Sequence, residues 1–452
     1  MKTKFYLILI GILFPVIMNA QWTSQSTAFA TPGRGLWDIA TPDANTVWGL
    51  AYTYNLGLIL PVMEMTRTTN GGNLFTAFSF PFNCYWSNIT AVDSMNAWVS
   101  GVDPVSYVDG AIYKTTDGGI TWNEQCANTI FNNTSYIDFV YFFNSNEGVS
   151  MGDPNPSEFE IYTTNDGGTT WNPVAGSLIP NALTGEIGII KNYCVLGDHI
   201  WFGTNKARIF HSSDKGLTWT VLNTGINMPG MYDYIDFCFW SPDKGIARKY
   251  DLVAGQNIEV KTTIDGGTVW NPVTVNGNLL GSAYSGITYV PGTVSTLIST
   301  GIYTPIPGSS YSNDGGLTWI TIDNVEHYGS KFIDNTTGWS AGVSINSTNG
   351  GIFKYTGDPL GFKNIETGKE VFLNVYPSPS KGNVSIQMAN AGNQNVLLTV
   401  NDFTGRSVFE SIFEKPGEFF LQNLDLTSLH AGVYFLKLSF GEHAVTRKII
   451  ID

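Results

Sequence analysis

The sequence predicts an all-β chain, and three observations predict it. Aromatic residues and glycine are abundant, with 27 Phe, 21 Tyr, 13 Trp and 49 Gly in 452 residues, while only 13% of residues are charged. Aromatics suit pleated, half-buried strands, and glycine supplies turns. Long Ala/Glu/Lys/Leu stretches that would form helices are absent. The third observation is a repeat: five segments read hydroxyl, any, Asp, any, Gly, any, any, Trp. They are Thr115–Trp122, Thr164–Trp171, Ser212–Trp219, Thr263–Trp270 and Ser312–Trp319, and a weaker copy, Thr68–Phe75, precedes them. Their starts at 68, 115, 164, 212, 263 and 312 are separated by 47, 49, 48, 51 and 49 residues.

Each repeat has the chemistry of a stabilised hairpin turn. Asp117 accepts hydrogen bonds from turn amides, Thr115 ties the turn through its hydroxyl, and Gly119 takes a positive φ where the chain reverses. Trp122 then starts the outgoing strand and fills the wedge between neighbouring units. The same roles fall to Asp166, Asp214, Asp265 and Asp314, and to Trp171, Trp219, Trp270 and Trp319. These residues are structural on this reading.

A second element recurs upstream of the turns and occurs seven times, from Val47-Trp48-Gly49 to Gly338-Trp339-Ser340. Trp98 precedes Thr115 by 17 residues and Trp339 precedes Thr356 by 17, so Gly351–Thr356 aligns with Gly110–Thr115. The seventh unit thus has its third strand but lacks the turn that follows. Gln21-Trp22-Thr23 resembles Thr121-Trp122-Asn123, and the mature N-terminus is expected to complete the last unit. A unit of about 49 residues holds four short strands, the size of a propeller blade. The expected fold is all-β, a seven-bladed β-propeller over 21–356 followed by a small C-terminal β-sandwich; six or eight blades stay open.

The ends carry export features. Lys2 and Lys4, then the apolar Phe5–Met18, then Asn19-Ala20 read as a signal peptide over 1–20. Residues 357–370 read as a linker. Residues 371–452 hold Tyr376-Pro377-Ser378-Pro379-Ser380-Lys381-Gly382, Asp402-Phe403-Thr404-Gly405-Arg406 and Ala431–Leu438, and end on Lys448–Asp452. This segment resembles the type A C-terminal sorting domain of the type IX secretion system. The resemblance implies passage across the outer membrane to the cell surface or the medium, with that machinery as partner. The turn and its period resemble the Asp-box (BNR) propellers, above all the photosystem II assembly factor-like and sortilin-like ones. The resemblance implies a fold but no activity. Sialidase relatives use three arginines in a defined constellation; here only Arg34, Arg67, Arg208 and Arg248 lie in the propeller region, outside any such motif.

Composition excludes other classes. The net charge of −14 repels phosphate backbones, so nucleic-acid binding is not expected. No later segment spans a membrane as a helix. Five scattered His and the lack of any nucleotide or nucleophile fingerprint leave no metal, cofactor or catalytic residue to name. Cys84, Cys126, Cys194 and Cys238 are widely spaced and read as buried free thiols, although export permits disulfides.

The candidate site is the central face where the innermost strands begin. Trp37, Trp86, Tyr136, Tyr234, Tyr284 and Tyr328 recur there, with Asp38, Asp138 and Asp236 beside three of them. Two readings stand. Repetition alone places such residues in the inner core, or they form stacking platforms and carboxylates for an extracellular protein or glycan. The paired carboxylates also admit a glycoside hydrolase as the alternative function.

Overall fold

The computed structural model describes residues 21–55, 58–125, 129–131, 135–228, 230, 233–251, 256–281, 286–302, 307–346, 348–357, 360, 372–389, 395–414, 419–440 and 443–452. The expected signal peptide and most of the expected linker lie outside them. Apart from one 3-10 turn at Gly176–Leu178, the regular elements among the described residues are β-strands. The chain is an all-β propeller.

The strands of 21–356 pair into seven antiparallel sets of four among the described residues, and Asn276–Gly277 adds a short parallel fifth strand to the sixth, beside Thr318–Asp323. The innermost strands are Arg34–Ala40, Tyr85–Ala91, Ile137–Phe142, Gly188–Leu196, Asp233–Phe239, Ile287–Tyr289 and Ser330–Phe332. Each packs against the next, and the last packs against the first, so the ring is closed. One further pair, Gly35 with Val343, joins the last set to the first. Trp22–Ser26 pairs antiparallel with Asn349–Tyr355, so the N-terminal strand completes the last set.

The local turn geometry follows from its residues. Asp117 Oδ1 accepts the Thr115 hydroxyl and the Thr121 amide, both at 2.9 Å, and Oδ2 accepts the Thr121 hydroxyl at 2.6 Å. Gly119 at φ +87° donates its amide to Thr115 Oγ1 at 2.9 Å. Asp166, Asp214, Asp265 and Asp314 accept the same amide four residues on, each at 2.9 Å. Asn70 does so at 3.0 Å, which explains why the weaker copy still turns.

The aromatic that ends each repeat is buried between its own set and the preceding one. Trp122 meets Trp48 edge-on at 6.3 Å, Trp171 meets Phe142 at 5.7 Å, and Trp270 meets Phe239 at 5.9 Å. Phe75 meets Trp339 across the ring junction at 6.0 Å. Trp22 fills the corresponding wedge of the last set, packed with Phe332 and Tyr355 and donating Nε1–H to Ser309 Oγ at 2.9 Å. With neighbours on both faces, strands such as Ala97–Val102 are buried at every residue, so they read as continuous apolar runs.

One sequence alignment needs correction by a residue. Trp98 pairs with Lys114, but Trp339 pairs with Lys354, so Tyr355 and not Thr356 occupies the position of Thr115. The hairpin of the last set is one residue shorter between these paired positions, and its register shifts after Ala341 and after Ser344.

The C-terminal segment has two sheets. One contains Phe372–Tyr376, Asn383–Ala389 and Phe419–Asp425; the other contains Val396–Asp402, Ser407–Phe413, Gly432–Phe440 and His443–Ile451. Ile386 and Met388 of the first share one apolar cluster with Leu398, Leu436 and Ile449 of the second.

Candidate functional site

Polar side chains on the innermost strands tie neighbouring sets together. Asp38 Oδ2 accepts the Ile89 amide at 3.1 Å, and Asp236 Oδ2 accepts the Ile287 amide at 3.1 Å. Asn88 both donates to Val140 O at 2.9 Å and accepts its amide at 2.8 Å. Asn192 donates to Ile235 O at 2.7 Å, and Thr288 donates to Ser330 O at 2.8 Å. Apart from the Gly35–Val343 pair, these strands have no sheet partner on their inner edge among the described residues, so the side chains satisfy backbone groups that would otherwise be orphaned. Recurrence of Asp at these positions is therefore a structural consequence of closing the ring.

Asp138 departs from the pattern. Asp153 takes the tie to the next set by accepting the Gly188 amide at 2.9 Å. Asp138 is buried, and its Oδ2 makes no hydrogen bond among the described residues. Burial, then the Asp153 charge, pushes the Asp138 carboxyl well above its usual range. Burial raises Asp153 to about 6.

Two cavities follow the ring axis. The one at the strand starts has a volume of about 120 Å³ and is lined by Trp37, Asp38, Lys191, Tyr193, Tyr234, Asp236, Tyr250, Tyr328 and Lys331, among others. The one at the strand ends has a volume of about 700 Å³ and shares Ile39, Tyr193, Phe237 and Lys331 with the first. Lys191 sits in a bulge at φ +52°, where the register shifts between Gly188 and Tyr193. A positive φ is costly for a lysine, and a bulge re-aims its side chain. Its Nζ lies 4.2 Å from the Trp37 ring centroid and donates to Trp37 O. Burial lowers the Lys191 pKa to about 8; Asp38 opposes that shift and Lys331 adds to it. Lys331 Nζ lies 5.5 Å from the Tyr193 ring.

Neither Lys191 nor Lys331 has a carboxylate within ion-pair distance among the described residues, whereas the other basic groups near this mouth are paired. Arg248, fully buried, donates Nε and Nη2 to Asp236 Oδ2 at 2.9 and 2.6 Å. Lys249 pairs with Asp233 at 2.8 Å. Burial raises the Asp236 carboxyl, and the Arg248 charge opposes that rise.

The structure brings together Trp37, Asp38, Tyr234, Asp236 and Tyr328 of the sequence-predicted residues. Trp86 is buried and donates Nε1–H to Ala51 O at 2.9 Å, so it is core. Tyr136 packs against an apolar cluster, and Asp138 lines neither cavity. Tyr284 lies outside the described residues. Sequence reasoning missed Lys191, Tyr193, Tyr250 and Lys331. Lys331 was within reach, three residues after Tyr328. Lys191 was not, because a bulge put it in the mouth.

Among the described residues no group of three or more His, Cys, Asp or Glu is arranged to hold a metal ion. No helix there is long and apolar enough to cross a membrane.

Comparison with known proteins separates the two parts of the chain. Residues 374–452 match the family described as the secretion system C-terminal sorting domain. The chain carries a sorting domain. It is exported by the type IX system to the cell surface or the medium. The propeller is similar to a solved structure described as YCF48 bound to D1 peptide, with TM-score 0.50 and 14% identity, covering 75% of this chain and 97% of that one. It is also similar to YCF48 from Cyanidioschyzon merolae, with TM-score 0.32, 14% identity, and 74% and 98% covered. A third similarity is to the extracellular domain of a one-component system of B. thetaiotaomicron, with TM-score 0.43 and 10% identity, covering 95% of this chain and 58% of that one. No curated protein matches the chain.

Proposed function

We propose that residues 21–356 are a non-catalytic, seven-bladed binding propeller. After export it takes a carboxylate-bearing segment of an extracellular protein at the mouth of the central channel. The observation that carries this is the pair Lys191 and Lys331, two cations without ion-pair partners among the described residues, in a chain of net charge −14. A ligand carboxylate would supply the missing counter-charge, and Trp37, Tyr193, Tyr234 and Tyr328 offer flat surfaces beside it. The small mouth suits one acidic side chain or a chain terminus. That a similar propeller is described with a bound peptide supports the protein-ligand reading.

The hydrolase alternative needs two free carboxyls facing one substrate. Asp236 is engaged by Arg248, Asp38 ties the Ile89 amide, and Asp138 is buried off the mouth. The test is to probe arrays of acidic peptides and of glycans with the full chain and its Lys191→Gln/Lys331→Gln variant. Peptide binding that depends on ligand carboxylates, is lost in the variant and occurs without turnover is expected. Glycan cleavage abolished by Asp38→Asn would overturn the non-catalytic reading. Binding to neutral glycans alone would overturn the protein-ligand one.

A further inference from the structure

The second cavity holds two thiols that the binding site does not use. Cys194 lies on Gly188–Leu196 and Cys238 on Asp233–Phe239, the innermost strands of neighbouring sets, and both line the larger cavity. Their sulfurs converge on one peptide unit. Cys194 Sγ accepts the Phe239 amide at 3.4 Å and lies 3.6 Å from Phe239 O; Cys238 Sγ lies 3.8 Å from the same oxygen. Both are free in the structure, and Cys84 is a third free thiol, buried elsewhere.

We propose that Cys194 and Cys238 are a redox-active pair that closes into a disulfide between neighbouring sets once the chain leaves the cytoplasm. The step is thiol–disulfide exchange with a small external disulfide or a disulfide-carrying oxidase. The Cys194 thiolate attacks one sulfur of that disulfide and expels the first thiol. Cys238 then loses its proton and attacks the Cys194 sulfur, expelling the second. Two cysteine thiols are oxidised and one external disulfide is reduced to two thiols. The order of attack follows from the site. The Cys238 thiol, then the Phe239 amide, holds Cys194 below its usual pKa against the effect of burial, while Cys238 is pushed up by Cys194 and by burial. Cys194 is also the more exposed of the two, and it faces the cavity through which an oxidant reaches it. Exported proteins meet the oxidising conditions under which such bonds persist. The inference is independent of the ligand reading, because it needs only export and the juxtaposed sulfurs.

The test is non-reducing peptide mass spectrometry on the full chain recovered from the producing cells' surface or medium, alkylated under denaturing conditions. A linked peptide pair containing Cys194 and Cys238, lighter by two hydrogens than the reduced peptides, is expected. Reduction should lower the denaturation midpoint of the wild-type chain and leave that of Cys238→Ser unchanged. Alkylation of both cysteines without prior reduction, or a link from either to another cysteine, overturns the proposal even if the serine variant does not fold.

Discussion

Asp138 shows how one residue carries the cost of its position. Its carboxyl is buried with Oδ2 unbonded, and the tie it would make is made by Asp153. Both carboxyls titrate higher in the folded chain than their ordinary value of 3.8, Asp153 at about 6 and Asp138 well above 3.8. Between those limits the folded chain binds protons that the unfolded chain has released, so stability falls as pH rises from about 4 through 6. Asp138→Asn removes one buried charge. It is expected to raise stability at neutral pH and to flatten the pH dependence over that window. Thermal denaturation across pH checks this, and a lower midpoint for the variant at neutral pH would contradict it. Asp236 shows the opposite solution, with Arg248 twelve residues away supplying the counter-charge across the hairpin. No local pattern in the sequence announced that partner, which is why three Asp residues that look alike in the chain have three different environments.

At the scale of the element, the repeated turn was legible because its stabilisation is local: a hydroxyl, a carboxylate and a glycine within eight residues determine it. The turns still differ in a testable way. Asp117 accepts both the amide and the hydroxyl of Thr121, while Asp265, which like Asp117 also accepts the hydroxyl that opens its turn, faces Val269, which offers an amide and no hydroxyl. Asp117→Ala is therefore expected to destabilise the fold more than Asp265→Ala; equal denaturation midpoints would remove the hydroxyl from the account. The closing strand was also legible, through the likeness of Trp22 to the other wedge aromatics. Trp22→Ala is expected to cost about 3–5 kcal/mol, as for a buried Trp in a core, and to be read as a lowered denaturation midpoint. A change within error would mean that the N-terminal strand does not close the ring. The one-residue shift in the last set was illegible, because a bulge changes register without changing composition.

For the whole molecule, the sequence separated a propeller from a sorting segment, and its reading of the sorting segment agrees with the family match over 374–452. Deleting 374–452 is expected to leave a folded propeller that stays in the periplasm, checked by fractionation of the producing cells; normal secretion of the truncated chain would contradict that role. The binding mouth was only half legible. Trp37, Tyr234 and Tyr328 were named from the repeat, but Tyr193 and Tyr250 were not, Lys191 reaches the mouth through a left-handed bulge, and long-range pairing decides which charges are paired. The measurement that tests the central claim most directly is calorimetric titration of the full chain with an array-selected acidic peptide, beside the same peptide with its carboxylates amidated. The account predicts that amidation, or Lys191→Gln with Lys331→Gln, weakens binding by about tenfold or more. It also predicts that wild-type affinity falls as pH rises through about 8, where Lys191 loses its proton. Affinity indifferent to the carboxylates, to both lysines and to pH would contradict it.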